Sequence, residues 1–244
     1  MQKTKGRTRW SWLCKKMCAN KRIALYGGTF DPVHVGHVEI ARKVAELFEI
    51  EKVLFIPAQI APHKIGWRVT QPIHRYAMLA LATQNDPRLA ISTFELDAPD
   101  RRYTVDTVAH FQQAFGDSAE LFFMMGADSW SEITTWREWE RLLTMTNHIV
   151  VTRPGYEPTS THVGAIGERI VDFRTSLGHA APRCRTPRKR PEGNSIFFTD
   201  VVMNDVSATT IRRLASEGRT EELVKYLPGP VLDYIKKYGI YRDE

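Results

Sequence analysis

Residues 26–37 read YGGTFDPVHVGH, where two glycines, a proline and two histidines follow an apolar run. Gly27 and Gly28 let the backbone turn sharply and approach a ligand closely. Pro32 suits the start of a helix, where a missing N–H costs little. His34 and His37 are three apart and face the same way on a first helical turn. A helix start presents free N–H groups and the positive end of its dipole, an anion site that needs no side chain. Two imidazoles beside it can each donate to phosphate oxygens. The residues alone also permit a metal pair or two surface histidines, although a catalytic metal needs a third protein ligand and no obvious one accompanies them. The fingerprint G-x-G-x-x-G is absent from this turn, so a nicotinamide dinucleotide cofactor is not indicated.

The elements that must position these residues are short apolar runs alternating with helical patterns. Strands are expected at Arg22–Tyr26, Lys52–Ile56, Leu89–Phe94, Glu120–Met125, His148–Thr152 and Ile196–Thr199. Val38, Ala41, Ala45 and Phe48 mark one face of the first helix, and helical spacing returns at Arg75–Thr83, Val105–Phe115 and within Trp130–Leu143. Gln59–Gln71 reads as a loop, and Ser207–Glu217, Glu221–Tyr226 and Pro230–Tyr238 read as a closing helical segment. This order predicts an α/β fold, a Rossmann-like doubly wound parallel sheet with helices on both faces. In such sheets ligands collect beyond the carboxyl ends of the strands, where strand order reverses. The glycine and histidine stretch falls there.

Among 244 residues, 43% are hydrophobic and 25% charged, as in an ordinary globular protein with a full core. The net charge of +6 invites a nucleic-acid reading, but the excess is concentrated in two segments. Residues 1–20 carry six basic residues and no acid, and residues 174–192 carry six against Glu192, so the rest of the chain is net acidic. The first segment reads as a disordered extension or an upstream start, since Met17 lies just before the first strand. The second reads as a basic insertion loop within one domain spanning 21–244. Apart from Trp10 and Trp12 these segments lack interleaved aromatics, which argues against a nucleic-acid partner. Cys14, Cys18 and Cys184 all sit in them, so the predicted core has no disulfide frame and a reducing cytoplasm is expected. No apolar run approaches the ~18–20 residues of a membrane span.

The stretch GGTFDPVHVGH resembles the first signature of the nucleotidyltransferase family that contains nicotinate-nucleotide adenylyltransferases, with its hallmark His-x-Gly-His at His34–His37. Further resemblances span roughly residues 22–240. They imply that Gly27, Gly28, Thr29, Phe30 and His37 contact ATP. PAQIAPHK (57–64) resembles the loop whose lysine, here Lys64, meets phosphates; by composition Lys64 is equally a solvated lysine. RRYTVDT (101–107) implies that Thr104 lies against a nicotinate ring. MMGADSW (124–130) implies that Gly126 and Asp128 border adenosine, while an Asp just after a strand also suits a helix N-cap. TTWREW (134–139) implies that Trp136 stacks on the pyridine ring, although Trp136 and Trp139 could be a core stripe. Arg137 stands where a second aromatic is expected. VTRPGY (151–156) places Arg153 as a further anion contact for the nicotinate nucleotide. VSATTIRR (206–213) resembles the late Ser-x-Thr-x-Ile-Arg signature: Ser207 is expected at an N-cap, with Thr209 and Arg212 on the triphosphate.

The resemblance implies adenylyl transfer from ATP to nicotinate mononucleotide, with His34, His37, Lys64 and Arg212 as the catalytic donors. Magnesium is expected to accompany ATP through phosphates and water, with no metal-binding motif of the protein's own. Nicotinamide mononucleotide and phosphopantetheine are the rival acceptors within the superfamily.

Overall fold

The computed structural model describes residues 21–59, 69–97, 103–152, 161–174, 194–200 and 206–242. Seven strands form one sheet: β1 (Lys21–Gly28), β2 (Lys52–Pro57), β3 (Leu89–Ile91), β4 (Ala119–Gly126), β5 (Asn147–Val151), β6 (Ile170–Asp172) and β7 (Ile196–Thr199). Their order is β3-β2-β1-β4-β5-β7-β6, and every pairing is parallel. Strand order reverses between β1 and β4, as a doubly wound sheet requires.

Period-two alternation along the strands feeds two cores. Ala24 and Tyr26 of β1, Phe122 and Met124 of β4, and Phe197 of β7 face one side. Against them pack α1 (Val35–Leu47), α2 (Pro72–Thr83), α6 (Ala208–Ser216) and α7 (Gly229–Tyr238). Ile23, Leu25, Phe123 and Met125 face the other side, where α3 (Thr104–Phe115), α4 (Ala127–Ser131) and α5 (Trp139–Met145) supply Val108, Phe111, Trp130, Leu142 and Leu143. Trp130 is wholly buried, edge-on to Phe198 at 5.5 Å between ring centroids.

Four boundaries differ from the sequence expectation. The third strand stops at Ile91, and the next hydrogen bond, from Ser92 N–H to the Phe55 carbonyl, ends the ladder. The helical pattern across 130–143 is two short helices separated by the 3-10 turn Ile133–Thr135, with Glu138 in a left-handed conformation (φ 51°) that interrupts a continuous helix. Glu222–Lys225 is a 3-10 turn rather than an α-helix. An edge strand, Ile170–Asp172, was not anticipated; it ends two residues before Arg174, the first residue of the basic segment. Arg174 is buried and forks onto the Asp172 carboxylate, with Nε to Oδ1 at 2.9 Å and Nη2 to Oδ2 at 2.6 Å. The basic extension 1–20 and residues 175–192 of the basic segment lie outside the described residues. Among the described residues no helix is long and apolar enough to cross a membrane.

His148, on β5, is enclosed in the second core beside the Phe123 ring, 6.1 Å away. Burial pushes its pKa down to about 4, with a backbone contact to Thr146 acting in the opposite direction. The folded protein therefore holds a neutral ring, while the unfolded chain protonates it near the ordinary value of about 6.5. The corresponding stability is present above pH ~6.5 and is lost as pH falls toward 4, amounting to about 3 kcal/mol when complete. Urea unfolding across this range should show the wild type losing stability more steeply than His148→Leu. Parallel curves for the two proteins would contradict a neutral buried ring.

Candidate active site

The sheet opens at the carboxyl ends of β1 and β4, the point of reversal, and two clefts lie there. One has a volume of about 400 Å³ and the other about 490 Å³. They share a floor of Gly27, Gly28, Thr29, Met125 and Gly126.

The first cleft is built around the turn that joins β1 to α1. A Cβ on Gly28 would lie 2.9 Å from the Phe30 ring, so only glycine lets that ring fold back over the strand end. Phe30 itself adopts φ 51° and packs against Tyr26, Phe55 and His37, at centroid separations of 5.5, 5.3 and 5.1 Å. After the cis Asp31–Pro32 bond, His34 occupies the N-cap of α1 and His37 its third position. Their rings stack at 3.7 Å with 27° between planes. The backbone N–H of His34 donates to Nδ1 of His37 at 3.2 Å. With Nδ1 accepting, the His37 ring carries its proton on Nε2 and is a donor at that end. A Cβ on Gly36 would sit 3.1 Å from Nδ1 of His34, so this glycine lets the His34 ring lie over the first turn.

Opposite this turn stands the start of α6. Ser207 has the extended conformation of an N-cap (φ −110°, ψ 127°), as expected, but its hydroxyl makes no capping hydrogen bond. Thr209 and Arg212 follow on the same wall. Arg212 donates through Nη1 to the Asp31 carbonyl at 2.7 Å and through Nη2 to the Thr209 hydroxyl at 3.3 Å. The third wall is the end of β4. There Gly126, not Asp128, holds the N-cap of α4, and Asp128 sits in the first turn, next to the helix's positive end. Two helix starts of eight or more residues, those of α1 and α6, thus border one cleft together with His34, His37 and Arg212.

The second cleft lies across the shared floor. Thr104 is the first residue of α3, and Trp136 faces the cleft with its ring edge-on to Phe123 at 6.3 Å and 81°. Both Trp136 and Trp139 are partly buried against the second core, so the stripe and the cleft roles coincide at Trp136. The second aromatic expected at position 137 comes instead from Tyr103, with the Arg137 guanidinium 4.7 Å above its ring. Glu95 and Thr107 complete the polar side, joined by a hydrogen bond from the Thr107 hydroxyl to Glu95 Oε1 at 2.7 Å.

Of the residues singled out in the sequence, the structure gathers Gly27, Gly28, Thr29, Phe30, His34, His37, Gly126, Asp128, Ser207, Thr209 and Arg212 around the first cleft, and Thr104 and Trp136 in the second. Lys64 and Arg153 lie outside the described residues. Sequence reasoning missed Asp31, Thr152, Glu95 and Tyr103, which line the clefts. Thr152 and Glu95 follow the carboxyl ends of β5 and β3, and that position was the available signal.

Comparison with known proteins gives the family and the fold. A family model described as cytidylyltransferase-like matches residues 25–214. The protein named "Probable nicotinate-nucleotide adenylyltransferase" from Thermoanaerobacter sp. (strain X514) is 37% identical, covering 91% of this chain and 95% of its own length. A protein of the same name from Thermus thermophilus is 36% identical over 91% of this chain and 100% of its own. Among solved structures, Plasmodium falciparum nicotinic acid mononucleotide adenylyltransferase complexed with NaAD is similar in fold, with a TM-score of 0.67 at 18% identity, covering 91% of this chain and 97% of that one. The same Plasmodium enzyme complexed with APC gives 0.65 at 19% identity, with the same coverage. The chain belongs to the nicotinate-nucleotide adenylyltransferase family of cytidylyltransferase-like nucleotidyltransferases.

Proposed function

We propose that this protein transfers the adenylyl group of ATP to nicotinate mononucleotide, releasing pyrophosphate and forming nicotinate adenine dinucleotide for NAD biosynthesis. The observation that carries the reading is the pair of clefts with one floor. One cleft is lined by phosphate donors and the other by aromatic and polar side chains, and they meet at Gly27–Thr29 and Gly126. ATP in the first and the acceptor in the second would bring the acceptor's 5′-phosphate to the α-phosphorus above that floor. The phosphate oxygen attacks, the bond from the α-phosphorus to the bridging oxygen breaks, and pyrophosphate leaves with the electron pair.

The attacking group is already an anion, so no general base is needed. The protein's tasks are in-line alignment and stabilisation of charge on the leaving group. His37 Nε2–H, His34, Arg212 and the N-termini of α1 and α6 are the donors, and Lys64 and Arg153 are proposed as further phosphate contacts. Gly126, Asp128, Ser207 and Thr209 are proposed for the ATP side, Thr104 and Trp136 for the pyridine ring. Magnesium would enter with the triphosphate, held by phosphate oxygens and water, and would neutralise phosphate charge. Among the described residues no cluster of three His, Cys, Asp or Glu side chains could hold a metal, and an ion carried in by the nucleotide needs none. A cytoplasmic location is proposed with this reaction, since a core without cysteine suits a reducing compartment.

Pyrophosphate release from Mg-ATP should be fast with nicotinate mononucleotide and slow with nicotinamide mononucleotide or phosphopantetheine. Preference for the amide would keep the adenylyl transfer and overturn the roles of Thr104 and Trp136. His37→Ala should lower kcat by hundreds-fold, corresponding to about 2.7–4 kcal/mol for one preorganised donor, without loss of the folded circular dichroism spectrum. Near-normal turnover would sink the assignment. Gly36→Ala adds a methyl against the His34 ring and should lower kcat by about tenfold through misplacement of that ring, while Tm does not fall because alanine favours the helix. Unchanged kcat would mean that the His34 ring is not held against this turn.

A further inference from the structure

Beneath both clefts lies a charged side chain that touches neither. Arg75, on α2, is fully buried. Its guanidinium donates only to backbone carbonyls: Nε to Thr70 at 2.9 Å, Nη1 to Thr29 at 2.8 Å and to Ala58 at 2.6 Å, and Nη2 to Gln59 at 3.0 Å. Burying such a cation is costly unless its donors are satisfied, and these four bonds use four of its five N–H groups and all three nitrogens, from three separate stretches of chain. Thr29 belongs to the floor shared by the clefts, and Ala58 lines the second cleft. In a trans peptide the N–H points opposite to the C=O. By drawing the Thr29 carbonyl away from the clefts, Arg75 turns the Phe30 N–H the other way.

A second tie comes from the carboxyl-terminal end of the chain. Tyr241, buried and at φ 71°, donates its hydroxyl to Asp31 Oδ1 at 2.6 Å, while Thr70 N–H donates to Asp31 Oδ2 at 3.0 Å. The carbonyl of the same Asp31 receives Arg212. Burial, reinforced by the neighbouring carboxylate, pushes the phenol pKa of Tyr241 well up, so it stays a donor. Asp31, Thr70 and Arg75 thus form one connected network, with Tyr241 at one end and the floor residue Thr29 at the other.

We propose that Arg75 and Tyr241 are positioning residues for adenylyl transfer: Arg75 holds the shared floor in register with the second cleft, and Tyr241 holds the Asp31 turn from which Arg212 is aimed. This rests on the reaction proposed above. A merely structural role would lower Tm and leave kcat intact in the folded enzyme. A positioning role lowers kcat, because alignment matters most in the transition state.

The test uses the full-length protein, with variants Tyr241→Phe, Arg75→Lys and the double variant. Tyr241→Phe keeps the buried ring and removes one hydroxyl; Arg75→Lys keeps the charge and loses the fork that reaches three stretches. Thr146→Val, which removes a buried hydroxyl bonded to the Leu121 carbonyl, serves as a control for stability loss away from the clefts. Assayed well below each Tm, Tyr241→Phe and Arg75→Lys should each lower kcat by at least about tenfold, with KM for both substrates within about threefold of wild type. The double variant should fall little further than the worse single one, since both act on one turn. The Thr146→Val control should keep wild-type kcat. If Tyr241→Phe, folded at the assay temperature, keeps kcat within about twofold of wild type, the proposal is overturned; it decides the matter should Arg75→Lys fail to fold. The wild type run alongside separates the two readings. A wild type that uses another acceptor defeats the acceptor assignment and leaves the variants measurable on that acceptor. An active wild type with unaffected variants defeats the positioning roles alone, and a wild type silent with every acceptor overturns both.

Discussion

A parallel sheet whose winding reverses between two neighbouring strands leaves their carboxyl ends uncovered, because the connections depart to opposite faces. In this protein that constraint acts between β1 and β4, and everything at the site depends on it. The chain leaves β1 toward the face of α1 and leaves β4 toward the face of α4, so the two strand ends form the floor of a double cleft. Glycines at 27, 28 and 126 keep that floor low. Neither cleft needs a domain boundary or a moving part to exist; the topology opens both.

The two cores then fix what stands around the floor. Alternation in β1 sends Tyr26 toward α1, where it supports the Phe30 and Phe55 rings, and sends Leu25 toward the side of α3, which begins at Thr104, and of Trp136, which follows the 3-10 turn. A slip of one residue in the β1 register would exchange the two faces, so sheet packing and site geometry are one specification rather than two. The contact from His34 N–H to His37 Nδ1 adds a finer level: it orients the second imidazole through the backbone of the helix that carries it.

How much of this could be read beforehand follows from the range of each interaction. The glycine and histidine stretch was legible because its meaning is local: a turn, a helix start and two side chains on one helical turn. Six strands announced themselves by apolar runs, whereas β6 has only three residues at the sheet edge and no period to detect. Arg75 resembled an ordinary helical cation, since its partners are carbonyls, which every residue possesses and no sequence pattern marks. Asp31 drew no notice in the sequence because Tyr241 and Arg212, which bind it, lie 210 and 181 residues away along the chain. The aromatic expected at 137 is absent for the same reason: Tyr103, the residue before α3, brings its ring to Arg137 from a distant part of the chain.

The edge strand β6 changes the meaning of the basic segment that follows it. β6 and β7 are consecutive in the chain, adjacent in the sheet and parallel. The chain must therefore return from the carboxyl end of one to the amino end of the other between Arg174 and Ser195, and a parallel connection needs about a dozen residues or more. The chain between the two strands includes the arginine-rich stretch, so the parallel pairing on either side sets how few residues it can have. Its composition is open to change, but its length has a floor, below which the outermost strand, with the Arg174–Asp172 fork that ends it, could no longer join the sheet.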